Sequence, residues 1–320
     1  MNEQEQKSIL TLCLMAAFAD GAKHERERAE VKRIADALAS DASINIAALY
    51  QDVLLKRVSL AETTAALTTP ESKQLAFEMA VCVCDADGMQ SDAERRFLAG
   101  ARAELGLNVE QAQAYTDQAE AIAAAPLQAA APASSTSDSK MSDQEMDKTV
   151  LNAAIVNGAL ELLPESLATM AIIPLQMKLV YRIGVSYGFE LDRGHIKDFL
   201  ATVGVGLTSQ YFEQAGRKLL GGLLGKVGGG LLGKMGGGLA RGAGNQAVSS
   251  GMSFASTYAL GHVAKRYYAG GRTLSTEMLK ESFDNIVAEA KNLQARYLPE
   301  MQAKANTLDA TKILNMVRQG

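Results

Sequence analysis

Apolar residues recur at helical spacing over most of the chain. In residues 1–120 they form runs such as LTLCLMAAFA (10–19) and LAFEMAVCVC (75–84). Helical patterns continue through 150–163, 166–189 and 194–220. From Thr273 the pattern predicts an amphipathic helix or helix pair, broken near Pro299, whose ring removes a backbone donor. The alternation of β-branched residues that marks a strand is scarce. The pattern predicts an all-α protein.

Two stretches interrupt the periodicity. Residues 121–148 replace large apolar side chains with Ala, Pro, Ser and Asp. Such a segment cannot bury enough surface to offset its ordering entropy, so it reads as a flexible linker. Residues 221–244 read GGLLGKVG GGLLGKMG GGLARGAG, three near-copies of an eight-residue block. Gly221, Gly225, Gly229, Gly233 and Gly237 form one row at a spacing of four, with a Leu/Val/Met row beside it and Lys226 and Lys234 on a third. A small-residue groove beside an apolar ridge suits helix–helix or helix–lipid packing. So many glycines would leave an isolated helix unstable in water. The resulting division is a helical domain over 1–120, a linker over 121–148, a second helical domain over 149–285 and an amphipathic tail over 286–320.

Charge separates the two halves. The net charge of −4 conceals 12 Lys/Arg against 20 Asp/Glu in residues 1–120, and 12 against 4 in residues 170–272. A basic half suits an anionic partner, and its spread among glycines and apolar residues favours lipid over nucleic acid. No zinc finger or RNA-stacking aromatic motif is present. The three cysteines, Cys13, Cys82 and Cys84, lie in apolar helical stretches and read as buried thiols. The opening MNEQEQKSIL is polar, without the apolar core of a signal peptide, and predicts a cytoplasmic protein.

The N-terminal half repeats itself. Ala19-Asp20-Gly21 and Ala86-Asp87-Gly88 are each followed, after five residues, by Glu-Arg, and each follows an apolar helix. Gly21 and Gly88 suit the left-handed backbone that ends a helix, and Ser91-Asp92-Ala93-Glu94 matches a capping box. The alternative to turn bracing is a cation site. Laid over an EF-hand loop, Asp85, Asp87, Gly88, Ser91 and Glu94 fall on ligand or turn positions, but Val83 occupies the first, where it offers no side-chain ligand, so the loop departs from an ordinary EF-hand. The doubled motif over residues 5–120 resembles the TerB-like family known from tellurite-resistance operons. That resemblance implies an all-helical domain with an acidic divalent-metal site at Asp20, Glu27, Asp87 and Glu94. His24, Arg26 and Arg28 make the first turn the less acidic of the two.

In the C-terminal half, PLQMKLVYRIG (174–184), Tyr187-Gly188 and the run from Thr257-Tyr258 to Gly271-Arg272 resemble the YcjF-like domain, over residues 150–285. That family implies association with a membrane and with GTPases, and no catalytic activity. Gly242–Ala264 carries no charge and could span a bilayer if helical, although its polar residues make insertion marginal. A re-entrant or interfacial hairpin and a packed helical bundle are the alternatives. Tyr258, Tyr267 and Tyr268 with Lys265 and Arg266 read as an interfacial belt.

His24, His195 and His262 lack metal spacing. Gly228–Lys234 fits GxxxxGK, but Met235 stands where a Ser or Thr should hold magnesium, so no nucleotide is expected. The reading is a non-enzymatic adaptor attached to the inner membrane or to a partner such as a GTPase, with a divalent cation in its first half. Homo-oligomerisation through the glycine-rich helices fits the same pattern. The alternatives are a soluble metal-binding scaffold and, less well supported, a metal-dependent hydrolase or nucleotide-binding enzyme.

Overall fold

The computed structural model describes residues 3–21, 44–85, 90–125, 127, 141–163, 166–203 and 251–319. Among them every regular element is a helix. The chain separates into two compact units, and the boundary before the second falls between Ala124 and Ala125.

The first unit contains α1 (Glu3–Ala17), α2 (Ile46–Leu54), α3 (Leu60–Ala65), α4 (Pro70–Cys84), α5 (Asp92–Leu105) and α6 (Val109–Ala123). Helix α1 packs chiefly along α4, and α5 and α6 cover other faces of α4. Both central helices are buried over long stretches, which is why LTLCLMAAFA and LAFEMAVCVC are nearly all apolar rather than amphipathic. Short helices are started by side chains: Ser59 with Glu62, Thr69 with Ser72 and Ser91 with Glu94 form reciprocal capping boxes. Glu5 of α1 is buried against the start of α4, where its carboxylate accepts from Thr68 Oγ1 and Ser72 Oγ, each at 3.1 Å. A carboxylate there also faces the positive end of the helix dipole.

The second unit contains α7 (Asp143–Leu162), α8 (Ser166–Ser186), α9 (Arg193–Thr202), α10 (Gly251–Ala269), α11 (Thr276–Ala305) and α12 (Ala310–Gln319). Helix α10 is the hub, packed against α7, α8 and α11, while α9 and α12 rest on α8. Phe254 of α10 is fully buried between α7 and α11, with Ala154, Ile155 and Ala159 on one side and Met301 and Ala305 on the other. A polar seam crosses this core. Asn157 Nδ2 and Gln176 Nε2 both donate to Thr257 Oγ1, at 3.0 and 2.9 Å.

Four sequence expectations change. Helix α7 begins at Asp143, ahead of the Thr149 where the apolar pattern resumes, because Ser142 and Glu145 form a capping box and Met146 is buried. Helix α11 runs through Pro299 and ends at Ala305, so the expected break is absent and the boundary at 285 lies inside one helix. Met301 and Ala305, beyond the proline, pack into the core, and that burial outweighs the lost backbone bond. The uncharged stretch 242–264 is described from Gly251 onward, where its apolar face is covered by protein rather than left for lipid. No described helix is long and apolar enough to cross a membrane. Tyr267 and Tyr268 do not form an interfacial belt. Tyr268 is 3 % exposed, its ring 5.3 Å from that of Phe189, and burial raises its phenol pKa to about 12. Lys265 is tied to Asp147 at 2.8 Å. The glycine row Gly221, Gly225, Gly229, Gly233 and Gly237, with Lys226 and Lys234, lies outside the described residues, as does half of the expected linker.

Candidate functional site

The candidate site is the turn between α4 and α5. Helix α4 ends at Cys84, and Asp85 caps it, its backbone N–H donating to Val81 O at 2.9 Å. Asp85 is only 2 % exposed. Helix α5 starts at Ser91, whose backbone N–H donates to Glu94 Oε2 at 2.7 Å while Glu94 N donates to Ser91 Oγ at 3.2 Å. The Glu94 carboxylate is thereby fixed beside the turn. Gln90, just ahead of this cap, is buried, and its Nε2 meets no acceptor among the described residues. Sequence reasoning gave Gln90 no role, because a single amide before a helix start has no periodic or motif signature.

The neighbouring thiols report the local field. Burial pushes the Cys84 thiol well above its ordinary pKa, and the charges of Glu94 and Asp85 push it further. Both carboxylates therefore act on the same end of α4. That end also carries the negative pole of the helix dipole, so the turn favours a cation. Burial likewise raises Cys13, with Cys82 adding to the effect. Cys82 Sγ lies 3.6 Å from Tyr115 Oη. All three thiols are buried and free of disulfides, and a raised pKa keeps Cys13 and Cys84 protonated and poorly nucleophilic at neutral pH.

Asp20 is exposed just beyond α1, followed by Gly21 at φ +68°. That left-handed backbone is the one expected of a glycine ending a helix. Glu27 and Asp87 lie outside the described residues. Among the described residues no group of three or more His, Cys, Asp or Glu side chains is arranged to hold a metal. The structure thus brings Asp85 and Glu94 to one turn and sets Asp20 in a separate turn.

The two described histidines have structural partners. His195 Nδ1 lies 2.9 Å from Asp192 Oδ1, which caps α9 by accepting from His195 N at 2.8 Å. His262 is packed against Tyr258, with ring centroids 4.4 Å apart.

The first unit is a helical domain, and a comparison with known families identifies it. Residues 6–117 match the family described as Tellurite resistance protein TerB, so a TerB domain occupies this part of the chain. The match spans α1 to most of α6 and includes both Asp-Gly turns. No curated protein and no solved structure matches the chain.

Proposed function

We propose that the protein is a non-enzymatic, two-unit adaptor of the tellurite-resistance type, whose TerB domain binds a divalent cation at the α4–α5 turn. The observation that carries this reading is the buried carboxylate of Asp85 facing the same helix end as Glu94, within the TerB match. Oxygen donors at a turn suit calcium or magnesium better than a soft metal, and the protonated thiols nearby do not compete. Asp87, between these two residues in sequence, offers a further carboxylate.

The second unit supplies attachment. The described helices on either side end at Thr202 and resume at Gly251, and the basic glycine repeat lies between them in sequence. The composition of that insert and the resemblance of residues 150–285 to the YcjF-like domain support docking on an anionic membrane surface or a GTPase.

Calorimetric titration of calcium, magnesium and zinc into the chelator-treated full chain tests the cation site. Binding that falls at least about tenfold in Asp87→Asn and Asp85→Asn supports it. Absence of binding in the parent chain, or binding in both variants as tight as the parent's, refutes it. Flotation with phosphatidylglycerol vesicles tests attachment separately, and a Lys226→Gln/Lys234→Gln chain that floats as well as the parent rules out the glycine repeat as the contact.

A further inference from the structure

A groove of about 330 Å³ runs between α7, α8 and α12 in the second unit. Its size is at the lower edge of the about 300–1,000 Å³ usual for small-molecule sites. Val156 of α7, Leu175 and Leu179 of α8 and Met316 of α12 supply apolar walls. Ile313 and Val317, both fully buried, anchor α12 on either side of Met316. Two cationic residues of α8, Lys178 and Arg182, are among the residues that line it. Arg182 is exposed, and Lys178 is 3 % exposed.

Lys178 is the unusual feature. Lysines that lie on apolar surface normally extend the ammonium into water. Here Nζ itself is buried and meets no hydrogen-bond acceptor among the described residues. An isolated charge in such a place is unfavourable unless something pairs with it. Burial accordingly lowers the Lys178 pKa.

We propose that this groove binds a small amphiphilic anion, with a carboxylate or phosphate head on the Lys178 ammonium and a short hydrocarbon body along Val156, Leu175, Leu179 and Met316. Arg182 adds a second positive charge and favours an anion over a neutral molecule of the same shape. Met316 suits an apolar tail of variable outline, since its unbranched thioether adapts to irregular contacts. The site shares no residue with the α4–α5 turn, so it stands or falls apart from the cation site.

The test is calorimetric titration of the full chain with octanoate, octyl phosphate and octanol, each below its aggregation concentration. Saturable binding of octanoate or octyl phosphate is expected, with octanol at least about tenfold weaker because it cannot form a charge-assisted hydrogen bond. Preference between the two anions identifies the head group as carboxylate or phosphate. Lys178→Met replaces a buried charge with an apolar chain of similar length, so the variant is expected to fold and to melt at a higher temperature. It should lose the preference for the anions over octanol. Lys178→Arg should retain anion binding, which a purely structural lysine would not predict. Absence of saturable binding of either anion, octanol binding as tightly as both, unchanged anion affinity in Lys178→Met, or lost anion affinity in Lys178→Arg would each overturn the proposal.

Discussion

Gly261 of α10 lies directly against Val150 of α7: a Cβ added at position 261 would stand 2.6 Å from both Val150 methyl carbons. A β-branched side chain in a helix has one strongly preferred rotamer and cannot swing aside. Gly261→Ala is therefore expected to destabilise the second unit by about 1–3 kcal/mol, even though alanine is intrinsically the better helix former. Val150→Ala in the same chain should recover part of the loss. A double-mutant cycle by urea unfolding measures the coupling, and additive effects would show that the two helices do not meet here.

Thr257 holds two buried amides on one hydroxyl. Thr257→Val keeps the shape of the side chain but removes the acceptor, leaving both amide donors buried without this partner. A loss of about 1–3 kcal/mol is expected, because Asn157 Nδ2 loses this acceptor while Gln176 Nε2 keeps Ser256 Oγ at 3.4 Å. Thr257→Ser retains the hydroxyl and should cost much less. Thermal unfolding of the two variants compares them directly.

The Ser91–Glu94 box starts α5 and also borders the proposed cation turn. Ser91→Ala should weaken the start of α5 by about 1 kcal/mol. Faster hydrogen exchange at the first amides of α5 would report that loss. Cation affinity should change little, because both carboxylates stay, and this separates capping from ligation.

His262 gives a pH dependence. Burial lowers its pKa below the ordinary 6.5; Asp147 and Glu289 oppose the shift, and Lys265 and Arg266 reinforce it. The unfolded chain thus binds a proton at a higher pH than the folded one. The contribution of neutral His262 is fully present above pH 6.5 and is lost as pH falls through the lower folded-state value. Denaturant unfolding between pH 7 and pH 5 should show a steeper loss of stability in the parent chain than in His262→Gln, and equal slopes would contradict this assignment.

Much of the architecture was readable along the chain. The apolar runs at 10–19 and 75–84 marked α1 and α4, and Ser91 to Glu94 announced a helix start through local hydrogen bonding alone. The doubled Ala-Asp-Gly motif pointed to the TerB domain found at residues 6–117. Local signals were misleading where packing outweighs them. Pro299 reads as a helix breaker, yet α11 continues because the turns beyond it are held in the core. Tyr267 and Tyr268 read as a polar–apolar interface, yet their rings pack at a tilt against Phe199 and Phe189.

The candidate sites divide in the same way. Asp85 and Glu94 were visible because a turn and a helix cap depend on residues adjacent in sequence. Lys178 was not, because a lysine in an amphipathic pattern looks like any solvated cation. It shares its groove with Met316 of α12, a helix more than a hundred residues further along that rests on α8. The sequence by itself determined the helical class, the helix starts and the acidic turn, since these follow from local periodicity and hydrogen bonding. Only the tertiary structure decided which uncharged helix became the hub, which proline was tolerated and which ammonium was taken out of water. Those outcomes depend on what distant segments bury against one another.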